Sequence, residues 1–366
     1  MKKELQLIPI PYDTEEWHKF RLDGIGASEM ATVLYMNEWN TAARLYHEKI
    51  GSIPQQREDK EIMFHGRNQE DYIAHLWQYW DGTIEGMMDN YKAEKIVRRC
   101  RRINGYLVNP DYPWIFASLD RAINIEGGVN MKTGQALLTE APLELKTLSG
   151  FSARKWEEGV PMYYYIQVHT QMLVIDSDYA EIAMLQDGNR FMVEYIERDN
   201  DLCNRIIDIS KSFWEERVVP GKKAVLMRDN YDKKGLYVES EQNQEIIDRL
   251  EPEPDSTQAY KEFMAETYLK ERQTLKGDKI SYEICRQDEM LKCIVNTLNK
   301  RRDYCKNSLI KVVRDNNVEE IDFDTKGKFT WSERANSKIR VALINIKDKP
   351  LDADVEKEVG KIDLKY

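Results

Sequence analysis

From Tyr12 to about Gly221, short apolar runs of alternating polarity take turns with stretches in which apolar positions recur every three or four residues. Alternation splits side chains between the two faces of a strand, whereas the longer period gathers them on one face of a helix, so this portion reads as a single α/β domain. Strands are predicted over Gly105 to Val108, Phe116 to Ile125, Leu138 to Leu148, Ala180 to Gln186 and Phe191 to Ile196. Gly127-Gly128 and Asp187-Gly188 are turn signals, and the second makes a hairpin of the last two strands. Helices are predicted over Glu15 to Leu22, Glu29 to Leu34, Thr41 to Ile50, Arg67 to Trp80, Tyr163 to Ile175 and Asp199 to Arg217.

Beyond Pro220-Gly221 the texture changes. A highly charged stretch from Gln242 to Val313 has helical periodicity broken at Pro252, Pro254 and near Gly277, which predicts two or three long helices. After Asn316-Asn317, Ile321 to Trp331 and Ile339 to Ile346 alternate well enough to pair as strands. The expected organisation is a domain over 1–222 and, over 223–366, a helical extension with a β-rich C-terminal tail.

A formal charge of −10 and a pI near 5.3 argue against a protein that coats nucleic acid by bulk charge. They leave room for an enzyme with a local carboxylate cluster and a short basic track for phosphates. The densest basic run, Lys95 to Arg102, reads either as such a track or as a solvated face, and Asn299 to Arg302 carries the same ambiguity. There is no run of about 18 apolar residues and no signal-like N-terminus, so no membrane span and a cytoplasmic location are expected. Five scattered cysteines without a C-x-x-C read as reduced thiols, with Cys285, Cys293 and Cys305 expected in a helical core rather than as cluster ligands.

The most informative stretch is Ala141-Pro142-Leu143-Glu144-Leu145-Lys146-Thr147. On a strand, Glu144 and Lys146 project to one face and Leu143 and Leu145 to the other. Upstream, Ala117-Ser118-Leu119-Asp120 ends another apolar stretch, and the glycines between them allow a hairpin that returns Glu144 beside Asp120. Two carboxylates and an ammonium suit phosphodiester hydrolysis. Carboxylate oxygens hold Mg²⁺, and a nearby ammonium orients water and offsets developing charge. By itself E-x-K is common, and an incidental pair on a solvent-facing strand is the alternative.

Glu70 shares a helical stripe with Ile73 and Trp77, so it is either a carboxylate needing a metal or cationic partner or a first-turn residue complementing the helix dipole in solvent. Gln167 sits among aromatic and apolar neighbours, as a satisfied core amide or a site residue. Near the N-terminus, Gly24-Ile25-Gly26-Ala27-Ser28-Glu29 has the form of an anion site, with Arg21 one helix earlier offering a bidentate fork to a phosphate. The plainer reading makes Ser28 a helix cap and Arg21 a surface residue.

Taken in order, WHKFRLDGIGASE, GRNQED, ASLD, LELKT, YYYIQVHTQM and FWEERVVPG resemble the YqaJ viral recombinase group of lambda-exonuclease-like phage nucleases, over about residues 12 to 222. The resemblance implies a PD-(D/E)XK, restriction-endonuclease-like core: a mixed central β-sheet flanked by helices. It implies that Asp120, Glu144 and Lys146 are catalytic, that Glu70 and the Leu145 carbonyl join Asp120 and Glu144 on metal, and that Gln167 is the active-site glutamine. Arg21, Ser28 and Ser118 match residues that hold a 5′-phosphate, and Arg154 is the nearest counterpart of a second phosphate arginine, at a different distance after Lys146. Leu119 departs from the usual proline before the aspartate. The implied activity is Mg²⁺-dependent 5′→3′ digestion of duplex DNA ends at a two-metal site, with Mn²⁺ as a substitute, leaving 3′ overhangs for a single-strand annealing protein. A homo-oligomer and a phage or prophage origin are implied as well. Competing readings are a nuclease of other polarity, an endonuclease, and a catalytically silent scaffold that binds DNA ends.

Overall fold

Three sheets organise the chain in the computed structural model, which describes residues 4–56, 61–156, 159–267, 277–316, 318–323, 327–333 and 340–346. Two compact units are present, Met1–Leu269 and Lys270–Tyr366. The strands of the first are β1 (Gln6–Ile8), β2 (Ile25–Gly26), β3 (Cys100–Arg101), β4 (Tyr106–Val108), β5 (Ile115–Ala117), β6 (Arg121–Ile123), β7 (Ala141–Leu148), β8 (Tyr179–Gln186) and β9 (Arg190–Glu197). The larger sheet runs β3-β6-β7-β8-β9, antiparallel except for the parallel β7–β8 pair; the smaller runs β1-β4-β5-β2, with β2 and β5 parallel. The β8–β9 hairpin turns where predicted, with Asp187 and Gly188 both at positive φ.

The single strand predicted over Phe116 to Ile125 is instead two. β5 pairs in the small sheet and β6 in the large one, and Ser118, Leu119 and Asp120 carry the chain between them. A given stretch of backbone lies in one sheet, so leaving one sheet for another breaks the pairing, which an uninterrupted apolar pattern cannot disclose.

The helices of this unit are α1 (Glu15–Phe20), α2 (Met30–Val33), α3 (Ala42–Ile50), α4 (Glu61–Trp77), α5 (Ile84–Lys92), α6 (Gly150–Ala153), α7 (Met162–Ile175), α8 (Asn200–Ser212), α9 (Val219–Lys233), α10 (Tyr237–Leu250) and α11 (Gln258–Thr267). Ile73, Ala74 and Trp77 of α4 pack with Leu143 and Leu145 on one face of β7, while Val168 and Met172 of α7 pack with Leu148 and Ile182 on the other. The large sheet is therefore a layer between helices, with β7 at its centre. α4 begins six residues before its predicted start, and α5, capped by Thr83 on the Gly86 amide, has no counterpart among the predicted helices.

The boundary expected at 222 falls inside a helix. After α8, a π-helical stretch Phe213–Val218 leads directly into α9, and the amide of Val219 donates to the carbonyl of Trp214, five residues back. Pro220 follows at once, and the switch from the i−4 ladder at the π-helical turn is where a continuous helix accommodates a residue without an N–H. Gly221 is needed there because a Cβ would lie 2.8 Å from both the Tyr46 hydroxyl and Ile50 of α3. Beyond it, Ile247 and Phe263 are buried, the Tyr46 hydroxyl donates to the Ile247 carbonyl at 3.0 Å, and His47 meets Glu251 at 2.7 Å. The segment expected to be a separate extension thus completes the first unit to Leu269.

In the second unit, α12 (Lys279–Asp315) is capped by Asp278 on the Ser281 amide at 2.7 Å, and β10 (Glu320–Asp322), β11 (Gly327–Glu333) and β12 (Arg340–Ile346) form an antiparallel sheet. Helix breaks fall at Pro252 and Pro254 and beside Gly277, as predicted. The cysteines correct one expectation: all five are free thiols, but Cys285, Cys293 and Cys305 are exposed, because α12 buries only Val313 among its described residues. No helix among the described residues is long and apolar enough to cross a membrane.

Candidate active site

β7 delivers its side chains as the alternation requires, Leu143 and Leu145 toward α4, and Glu144 toward α7. Glu144 is 2% exposed. Such a carboxylate is tolerable only if its oxygens are satisfied. Gln167 Nε2 donates to Oε1 at 2.6 Å, Gln171 Nε2 donates to Oε2 at 2.6 Å, and the Lys146 ammonium pairs with Oε1. Gln167 therefore spends its amide on Glu144 and is more than a space-filling core residue. Gln171, one turn further along α7, escaped the sequence reading although glutamines at i and i+4 in an apolar helix mark one polar spot on its face. Its Oε1 is buried without a hydrogen-bond partner.

Asp120 follows the crossing from β5 and leads into β6, whose Arg121 pairs in register with Leu143. Its Oδ2 accepts from the Leu145 amide at 2.9 Å, so the aspartate reaches across to the strand that carries Glu144. Burial and the neighbouring Glu144 and Glu70 charges push its carboxyl up to about 8, against the pull of Lys146. Burial and Glu144 likewise raise Glu70 above the usual carboxylate range. Glu70 lies mid-helix in α4 and not in a first turn, which removes the dipole explanation for it. Burial opposes the charge on Lys146, but Glu144 and Asp120 outweigh it and raise its pKa.

Among the described residues no three His, Cys, Asp or Glu side chains are gathered closely enough to hold a metal by themselves. The donor chemistry nevertheless suits a hard divalent cation: oxygen groups only, from carboxylates whose charge burial disfavours until a cation offsets it.

The glycine-rich entrance is built differently from expectation. Ser28 lies in a 3-10 turn, Ala27–Glu29, and caps nothing; the helix that follows, α2, is four residues long. The Gly26 amide is taken by Glu29 Oε2 at 2.8 Å, so the anion in this nest is the protein's own. Glu29 also binds Arg21 at 2.6 Å and the buried Lys49 at 2.7 Å. Burial alone would raise the Glu29 pKa, but Arg21 and Lys49 hold it low, while burial lowers that of Lys49. Lys49 had no distinguishing signal in an ordinary amphipathic helix. Arg21, Ser28 and Ser118 line a common open cavity of about 510 Å³. The backbone of Arg154 lies in the turn Arg154–Trp156, and its side chain is outside the described residues.

The basic run Lys95 to Arg102 is neither a continuous track nor simply a solvated face. Arg98 is buried in a fork with Glu181 and lies 4.0 Å from the Trp77 ring centre, Arg101 pairs with Glu140 at 2.6 Å, and Arg102 with Asp71 at 2.7 Å.

An acidic residue entering one strand of a mixed sheet, an E-x-K on the neighbouring strand and an acidic helix packed beside them define a PD-(D/E)XK-type core on an α/β fold. Residues 16–180 match the model of the YqaJ-like viral recombinase domain. The protein YqaJ of Bacillus subtilis (strain 168) is 30% identical over 239 residues, which are 63% of this chain and 66%, just under two thirds, of that protein. Among solved structures, an alkaline exonuclease from Laribacter hongkongensis is 19% identical with a TM-score of 0.43, covering 62% of this chain and 100% of that one. A phage-related exonuclease from Haemophilus somnus 129PT is 12% identical with a TM-score of 0.34, covering 53% and 94% respectively.

Proposed function

We propose that this protein is a DNA nuclease, a Mg²⁺-dependent 5′→3′ exonuclease that resects duplex ends to 3′ overhangs. The observation that carries the reading is the junction of Asp120, Glu144 and Lys146, in which the Asp120 carboxylate is tied to the Leu145 amide and the Glu144 carboxylate, one residue before it on the same strand, is held by the lysine. Asp120, Glu144, Glu70 and the Leu145 carbonyl would hold the cation. When bound, Mg²⁺ supplies a polarised phosphoryl oxygen and a more acidic water, with Mn²⁺ as a substitute.

The chain's own groups do the rest. Lys146, kept charged by Glu144 and Asp120, orients a water and offsets charge building on the phosphate. Gln167 and Gln171 fix both oxygens of Glu144, so the carboxylate does not rotate away during turnover. Arg21, Ser28 and Ser118 line the cavity that would receive the terminal 5′-phosphate, and Ser118 stands two residues from Asp120. The 3′ overhang is a substrate for a single-strand annealing protein.

Linear duplex labelled at either end tests the reading. With Mg²⁺, the 5′ label is expected in mononucleotides first, closed circular DNA stays whole, and Glu144→Ala or Lys146→Ala lowers release by at least about a hundredfold with an unchanged fold by circular dichroism. Early release of the 3′ label would reverse the polarity, and cutting of circles would make the protein an endonuclease.

A further inference from the structure

We propose that Trp39, backed by Tyr163 and Tyr164, is a stacking platform for an unpaired base at the DNA end; this rests on the nuclease reading above. Trp39 is 61% exposed, and no other tryptophan among the described residues is exposed. Its loop is nonetheless held. The Trp39 amide donates to Asn37 Oδ1 at 2.9 Å, Asn37 Nδ2 donates to Thr32 Oγ1 at 2.8 Å, and the Thr41 hydroxyl donates to Asp255 at 2.6 Å. Tyr163 stands against the indole with 4.6 Å between ring centres and 84° between planes, and the Lys155 ammonium lies 5.2 Å from the indole centre. With both neighbours in place, more than half of Trp39 still meets solvent.

The ring contacts continue inward. Tyr163 and Tyr164 have centres 4.2 Å apart, and the Lys146 ammonium lies 5.2 Å from the centre of the Tyr164 ring. Tyr163, Gln167 and Gln171 recur every four residues on α7, so the helix that holds Glu144 carries the platform one turn nearer its N-terminus. A row of rings thus leads from solvent to the ammonium of the site. Glu144 is 2% exposed, and a single strand enters such a recess more easily than a rigid duplex does. Unpairing and unstacking the terminal base costs free energy, which an aromatic surface beside the recess offsets. Every base has a π face, so rings accept any sequence, as an enzyme that removes successive nucleotides requires. Glu38, the acidic neighbour of Trp39, is paired with Lys155, which reduces its repulsion of a phosphate backbone.

The test measures binding to DNA hairpins whose open end is either fully paired or carries two unpaired nucleotides, one of them 2-aminopurine, in EDTA so that no cleavage occurs. The wild type is expected to bind the unpaired end more tightly and to quench the 2-aminopurine, whose emission falls on stacking. Trp39→Ala is expected to lose about tenfold of its affinity for that end and most of the quenching, and Trp39→Phe to recover part of both. The side chain is exposed, so circular dichroism should be the same in all three proteins. Quenching and affinity unchanged in Trp39→Ala overturn the inference. A wild type that treats paired and unpaired ends alike overturns it too, whereas the nuclease reading is judged separately by label release with Mg²⁺.

Discussion

Glu144 has donors on both oxygens, and the least conspicuous of them offers the sharpest check on how the site is held. Gln171→Leu keeps the volume and the helix but leaves Oε2 of a buried carboxylate without its donor. The expected result is a fall in kcat of about tenfold or more with KM little changed, read by steady-state nucleotide release. His169, two residues away, has its protonation state set by its neighbours. The Asp199 amide can only donate, so Nε2 accepts from it at 3.0 Å and Nδ1 donates to the Tyr165 carbonyl at 2.8 Å. Burial pushes this imidazole below its ordinary value against the smaller opposing effects of Tyr165 and Asp199. The unfolded chain therefore takes up the proton first as pH falls. Stability is full above about 6.5, the unfolded pKa, and is lost as pH falls from there through the folded value. Urea midpoints against pH should show that decline in the wild type, and His169→Gln should flatten it; an equal slope in both would assign the decline to other groups.

At the scale of elements, β8 runs beside β7, the strand that carries Glu144, with its Glu181 in register with Leu143. Glu181 is fully buried and receives Arg98, the Trp77 indole N–H at 2.7 Å and the Tyr179 hydroxyl at 2.7 Å. Arg98→Met strands that charge in the core and is expected to cost about 3–5 kcal/mol in urea unfolding, of which adding Glu181→Leu recovers a part. An absence of destabilisation would mean that Glu181 finds solvent or a proton more easily than its burial indicates. The β8–β9 hairpin and α7 were legible in the sequence because each is a local pattern with a matching turn or period. The division of Phe116 to Ile125 between two sheets was not, because both halves are apolar and differ only in their partners.

For the molecule as a whole, the expected boundary at 222 and the observed one at 269 make opposite claims about where the first unit ends. A chain stopped after 222 lacks the buried Ile247 and Phe263 and leaves Tyr46 without its hydroxyl's acceptor. It is expected to melt without a cooperative transition, whereas a chain stopped after 267 keeps one; a cooperative melt in the shorter chain would restore the earlier boundary. The change in composition after Pro220-Gly221 is real, but composition records how much surface is charged and not which apolar stripes meet. What the sequence determined by itself were the local facts: strand and helix periods, the turn at Asp187-Gly188, the shared face of Glu144 and Lys146, and the motifs that mark Asp120 and Glu70. Tertiary structure alone decided the long-range ones. It paired Glu181 with Arg98, closed Glu29 on Arg21 and Lys49, set Gln171 against Glu144 and carried α10 and α11 back onto α3. Short-range sterics and alternation act between neighbours in the chain, while burying a charge selects a partner by distance in space, from any point in the sequence.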